Sequence, residues 1–353
     1  MGDLSFNILM NLLVTGNRGY IGSVLTELLL ARGYAVVGYD TDYYFDNALY
    51  PLKEPTRQIK KDTRNISAED FKGIDAVIHL AALSNDPLGE FDTMLTEEIN
   101  FKATVRIAEL AKAAGVRRFI YSSSQSMYGV SDTDEELNED NSKKNPVTAY
   151  ARTKWDAEEA LKKMCSPDFI CVFMRPSTVF GASPKLRCDI VFNNLVASAY
   201  TSGKIEIKSD GTPWRPVVHV KDVSGAFIAA LEAPKELVAC QAFNVGIKNG
   251  NFSVRDLAEA AQRALPGSKL VFTGEHGSDS RTYRVSFNRI LTVLKDYYKP
   301  EWDLDKGAAE LLDLFKKTNF TAENFKGRTC NRLQQIHHLI ETGQINKNLK
   351  WNK

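Results

Sequence analysis

"LLVTGNRGYIG", residues 12–22, decides how this chain is read. An apolar run enters a turn whose glycines, Gly16, Gly19 and Gly22, stand three apart. Each has its own job in a strand–turn–helix. Gly16 permits the tight turn, Gly19 lets the main chain approach a pyrophosphate on the helix N-terminus, and Gly22 lets the helix pack close to the sheet. A glycine triplet alone fits any strand–helix turn, so the context carries the meaning. "MNLLVTG" precedes it as a strand, and residues 22–33 follow as a helix, with Val24, Leu25, Leu28 and Leu29 on one stripe and Gly33 closing it. Asp40 ends the next strand-like run, "AVVGYD", where a carboxylate accepts hydrogen bonds from an adenosine ribose. That carboxylate repels a 2′-phosphate and favours NAD over NADP. Arg18, inside the loop, is the dissenting residue, because a guanidinium near that ribose suits a phosphate.

Outward from this loop, short apolar runs alternate with helical stretches. "QIKKD" is a weaker strand ending at Asp62, and "AVIHLAA" is apolar enough to be buried on both faces. Residues 92–114 have a long helical pattern ending at Gly115, "RRFIYSSS" is a fifth strand, 149–165 are helical, and "FICVFMRPS" is a sixth strand. This alternation predicts an α/β fold, a doubly wound parallel sheet with a smaller, less regular C-terminal substrate domain. The expected division is a dinucleotide-binding domain over 1–175 and a mainly substrate-binding part over 176–353, with segments near 217–246 returning to the first. Residues 131–146 read as a polar surface loop near the site mouth, and the tail 328–353 as packed on the substrate half.

Composition narrows the partner. The chain has 353 residues, a net charge of +1 and no biased tract. No general basic field exists to attract nucleic acid or an anionic membrane, so a small-molecule partner is expected. Five cysteines, Cys165, Cys171, Cys188, Cys240 and Cys330, without a C-x-x-C pair read as reduced thiols of a cytoplasmic protein. No metal site is expected, and "FNILMNLLV" reads as a buried strand rather than a signal peptide.

The chemistry is carried by "YARTK", residues 150–154, and "YSSSQSMYG", residues 121–129. On a helix, Tyr150 and Lys154 share a face. A tyrosine is a poor base at neutral pH, with a pKa of about 10. A nearby ammonium and an oxidised nicotinamide favour its phenolate. Ser124 lies past the C-terminal end of the fifth strand, where open α/β sheets bind ligands, and is placed to share a substrate proton with Tyr150.

Together these residues resemble the extended short-chain dehydrogenase/reductase family, more narrowly its nucleotide-sugar epimerases and dehydratases. The resemblance runs through "TGNRGYIG", Asp40, Asp62, "HLAA", Asn100, "SSS", "YARTK", "MRPSTVFG", "WRPVVHVKDV" and "FNVG". It implies a start near Met10, and a homodimer built on the helices at 92–114 and 149–165. It also implies that Gly16, Arg18, Gly19, Tyr20, Ile21 and Gly22 surround the cofactor phosphates, and that Asp40 takes the adenosine ribose and Asp62 the adenine. Ala81, Ala82, Asn100 and Ser122 border the cofactor, Tyr150 is the base, Lys154 holds the nicotinamide ribose, and Ser124 is the catalytic hydroxyl. The nucleotide-diphosphate sugar falls to Ser84, Ser124, Gln125, Tyr150, Thr178, Asn194, Arg215 and Arg281, the two arginines suiting a diphosphate.

The two residues after Ser124 narrow the reaction. The family's dehydratases carry Asp-Glu there, whereas this chain has Gln125 and Ser126, which are poor acids and bases. Epimerisation at C4 through a transient 4-keto sugar needs only the residues present. A reductase of a nucleotide keto-sugar, and a non-catalytic dinucleotide-binding regulator, are the competing readings. Asn85-Asp86-Pro87 reads as a turn. His79 and His219 read as structural, and His337-His338 lack the carboxylates of a metal site.

Overall fold

The computed structural model describes residues 10–130, 135–274 and 282–352. Its main sheet has seven strands, all parallel: β1 (Asn11–Thr15), β2 (Ala35–Asp40), β3 (Arg57–Lys60), β4 (Ala76–His79), β5 (Arg118–Ser122), β6 (Ile170–Pro176) and β10 (Ala242–Val245). Their order is β10-β6-β5-β4-β1-β2-β3. Strand order reverses beside β1, between β2 and β4, and the crevice at such a switch point binds ligands in doubly wound sheets. Leu12, Leu13, Val14, Val77 and Ile78 are fully buried because helices cover both faces. The parallel sheet is as the runs of apolar residues predict.

Beyond β6 lie a three-stranded sheet of β7 (Thr178–Phe180), β9 (Trp214–His219) and β11 (Asn251–Ser253), and a parallel pair of β8 (Lys204–Ile207) and β12 (Lys269–Phe272). The helix Val220–Glu232 packs on the helix Tyr20–Ala31, and β10 joins β6 in the main sheet. Among the described residues no helix is long and apolar enough to cross a membrane.

Three expectations need correction. The pattern at 92–114 is not one regular helix: a helix Thr93–Thr96 passes through a π segment, Glu97–Lys102, into Ala103–Ala113. The widened turn contains Asn100, whose buried amide bonds both the N–H and the C=O of Leu83, at 2.8 and 3.1 Å. π turns recur beside functional sites because they re-aim a side chain that an α turn would misplace. The described part of the 131–146 loop is largely exposed and is pinned to the fold at two points. Its Glu139 is buried and accepts the N–H of Asn244 at 2.8 Å, while Leu137 bridges to Val285.

The tail packs mainly on the first half of the chain, and touches the substrate half near Lys185 and Cys188. Ile336, Leu339, Ile345 and Leu349 form one apolar cluster with Tyr43, Leu83, Leu88, Leu95 and Ile99, on the first half of the chain. Finally, Cys165 and Cys240 form a disulfide, against the expectation of five free thiols. One ends the helix Ala149–Met164 and the other precedes β10, elements that meet only in the folded sheet 75 residues apart in sequence. Cys171, Cys188 and Cys330 are free and buried.

Candidate active site

The glycine loop leaves β1 into the helix Tyr20–Ala31, which begins two residues earlier than its apolar stripe suggests. Two of its glycines are irreplaceable by geometry. Gly16 has φ +74°, and a Cβ on it would stand 2.8 Å from the Ala81 nitrogen. A Cβ on Gly22 would lie 2.0 Å from the Gly16 carbonyl oxygen. The turn therefore holds the helix N-terminus against the strand ends, with orphan N–H groups facing outward to attract an anion.

That N-terminus opens on a cavity of about 1010 Å³, at the large end for small-molecule sites. Gly16, Gly19, Tyr20, Ile21, Gly22, Asp40 and Asp62 line it, as do Ala81, Ala82, Ser84 and Ser122. Ser124, Gln125, Tyr150, Lys154, Thr178, Asn194 and Arg215 line the same cavity. Two expected residues stand apart. Asn100 lies behind the wall, holding Leu83. Arg18 turns away to Asp42 at 3.1 Å and Glu54 at 2.8 Å, while its N–H donates to Asp40 Oδ2 at 3.1 Å. Its guanidinium is thus engaged by two carboxylates. Arg281 lies outside the described residues.

Several lining residues are also tied structurally. Asp62 caps the turn Thr63–Asn65 and takes the Arg64 guanidinium on both oxygens. Asn194 donates to the Cys188 carbonyl, and Gln125 to that of Arg175. Asn85 is more than a turn residue: it caps a short helix, Asp86–Gly89, and donates to Asp189. His79 is structural as expected, buried between Thr15 and Thr104 hydroxyls, with burial pushing its pKa down to about 3. His219 stacks on Trp302 and bonds Glu310. Among the described residues no cluster suits a metal ion.

Tyr150 and Lys154 leave the helix Ala149–Met164, whose Thr148 cap accepts the Ala151 N–H at 3.2 Å. Ser124 caps the following short turn and accepts from Ser126, which fixes its hydroxyl at the end of β5. Burial raises the Tyr150 pKa, and a hydrogen bond with Ser124 opposes the rise. The cation that most favours its phenolate is Arg187, a residue the sequence motifs do not single out, rather than Lys154. Lys154 donates to the Ser122 carbonyl at 2.6 Å and lies over the Tyr121 ring. Burial pushes its pKa down to about 7.

An ammonium held there is costly without a bound anion or dipole to favour it. Its folded pKa lies below the ordinary value, so the unfolded chain binds more protons between pH 7 and about 10.5 and stability rises with pH across that window. The stability is fully present only above that window and is lost as pH falls through about 7. Lys154→Met is therefore expected to stabilise the cofactor-free protein by about 2–4 kcal/mol at pH 7. It should also flatten the rise toward pH 10. Denaturant melts at several pH values measure both, and an unchanged slope would contradict the assignment.

The geometry fits a dinucleotide along the switch-point crevice. The chain matches the NAD dependent epimerase/dehydratase family over residues 12–246, more than half its length. It is 28% identical over 295 residues to the UDP-glucose 4-epimerase of Mus musculus, covering 74% of this chain and 83% of that one. With the UDP-glucose 4-epimerase of Mycolicibacterium smegmatis the identity is 29% over 320 residues, covering 87% and 99%. Among solved structures it resembles MoeE5 in complex with UDP-glucuronic acid and NAD, with a TM-score of 0.75, 26% identity and coverage of 87% and 99%.

Proposed function

The chain belongs to the NAD dependent epimerase/dehydratase family, and on that premise we propose that it is an NAD-dependent nucleotide-sugar epimerase acting at C4. One observation carries the reading. Ser124, Tyr150 and Lys154 line the same cavity as the glycine loop and Asp40, and no carboxylate comes directly after Ser124. NAD fits better than NADP because Asp40, the carboxylate we assign to the adenosine ribose, lines the cavity while Arg18 is engaged by Asp42 and Glu54. NAD, when bound, supplies a reversible hydride acceptor. Tyr150 takes the proton of the C4 hydroxyl, with Ser124 sharing it, and a 4-keto sugar results. Lys154 holds the nicotinamide ribose. The sugar turns within the cavity, Tyr150 returns the proton, and C4 is inverted.

The substrate is a nucleotide-diphosphate sugar. The mouse and mycobacterial relatives act, by their names, on UDP-glucose, and MoeE5 binds UDP-glucuronic acid. We assign Thr178, Asn194 and Arg215, which line the cavity, to that substrate, and Arg281 to its diphosphate. We place the enzyme in the cytoplasm, a reading that the Cys165–Cys240 disulfide opposes. The expected homodimer would use the outer faces of the helices Ala103–Ala113 and Ala149–Met164, which expose Arg106, Glu109, Arg152 and Asp156 and leave Val105, Leu110 and Trp155 half-buried.

Purified protein incubated with UDP-, GDP-, CDP- and dTDP-sugars tests the reaction class. An epimerase converts sugar with no net change in cofactor redox state. Stoichiometric consumption of added reduced cofactor would make it a reductase, and cofactor binding without conversion of any sugar would favour the regulatory role.

A further inference from the structure

Two arginines that no motif announces line the cavity. Arg187 follows "PKL" after β7, and Arg332 opens the tail helix Arg332–Glu341. Both line the cavity together with Tyr44 and Asp189. Arg187 binds Asp189 through Nε and Nη2, each at 2.9 Å, and its Nη1 reaches Ser84 Oγ at 3.3 Å. Arg332 is only 2% exposed, stacks 4.1 Å over the Tyr44 ring, and donates from Nη2 to the Lys185 carbonyl at 2.7 Å. Its Nη1 is buried and has no hydrogen-bond partner.

A buried guanidinium nitrogen without an acceptor is costly, and a second guanidinium nearby adds repulsion. Asp189 is engaged by Arg187 and by Asn85. An anion in the cavity relieves both costs. Arg187 and Arg332 line the same cavity as Gly16, Gly19 and Gly22, so an anion held at the glycine-loop turn shares that cavity with both guanidiniums.

We propose that Arg187 and Arg332 form a cationic clamp on the pyrophosphate of the dinucleotide, opposite the glycine loop, so that the C-terminal tail completes the cofactor site. The proposal rests on dinucleotide binding at this cavity and adds the residues that hold the charge. The helix N-terminus neutralises the diphosphate from one side, and the guanidiniums do so from the other. The tail is fixed for this task by its hold on the loop after β2. Trp351 Nε1 donates to the Thr41 carbonyl at 2.7 Å, Gln335 Nε2 to that of Tyr43 at 3.0 Å, and Tyr43 donates its hydroxyl proton to the Leu349 carbonyl.

Calorimetric titration of the full chain, stripped of nucleotide, separates the alternatives with four probes: NAD, ADP, adenosine and UDP. Arg332→Gln is expected to weaken NAD and ADP about 10–100-fold while adenosine and UDP are unchanged. Arg332→Lys, which keeps the charge, recovers part of the loss and serves if the glutamine variant folds poorly. Equal weakening of adenosine and ADP would reduce the tail to a structural prop and overturn the clamp. Loss confined to UDP would move the anion site to the substrate and overturn it as well. If unsubstituted protein binds neither NAD nor ADP, dinucleotide binding itself fails, a result distinct from failure of the clamp.

Discussion

Tyr150→Phe is expected to fold, to keep its dinucleotide, and to lose turnover by about 10²–10⁴-fold, the range for removal of one general acid–base group. The ring stays in place because the helix Ala149–Met164 and its Thr148 cap position the main chain, not the phenol oxygen. Only the proton acceptor disappears. Burial opposes phenolate formation, whereas the Ser124 hydrogen bond and the Arg187 charge favour it. The oxidised nicotinamide adds positive charge when bound. Steady-state rates on the converted sugar, with cofactor affinity measured in parallel, check this. A variant within threefold of the parent rate would show that Tyr150 is not the base.

Glu158→Ala is the substitution expected to cost the most stability, about 3–5 kcal/mol, because it leaves a buried guanidinium uncompensated. Glu158 and Arg175 are 0% and 1% exposed. Arg175 Nε donates to Glu158 Oε2 at 3.1 Å, Lys162 lies at 3.3 Å, and Ser123 Oγ donates at 2.7 Å. Although desolvation works the other way, the Arg175 guanidinium holds the Glu158 carboxyl below its usual range. Arg175 also reaches the Tyr128 hydroxyl at 3.1 Å. This pair underlies the Ser122–Tyr128 turn, so its loss should lower kcat as well as the free energy of unfolding. Denaturant titration measures the stability, and a loss below about 1 kcal/mol would mean that water or a rearranged lysine replaces the carboxylate.

These two residues illustrate what a sequence displays. Tyr150 was legible because its partner stands four positions on and its serine comes after an apolar strand. Glu158 was not, because its partner is 17 residues away and the pair exists only once β6 lies beside the helix. The main sheet was legible for a related reason: strands buried on both faces are written as unbroken apolar runs, as in "AVIHLAA". The π turn at 97–102 hid inside a regular apolar period, since one extra residue per turn barely disturbs the pattern. Arg187 and Arg332 carried no signal at all. Arg187 sits in a mixed-charge stretch and Arg332 in a basic one, and only the fold, with the tail laid across the loop after β2, brings them into one cavity. Arg18 reads differently in the fold than in the sequence, since Asp42 and Glu54 approach it from the same loop region.

A cavity that inverts a sugar carbon through a transient ketone must use a hydride that leaves C4 and returns to it. Proton NMR of the sugar ring during reaction of the purified protein with UDP-sugars in D₂O follows that hydrogen. Inversion at C4 is predicted with the original hydrogen retained on that carbon, no deuterium entering C5, and no net change in the cofactor. Loss of water, deuterium at C5, or reduction in step with consumed cofactor would contradict it.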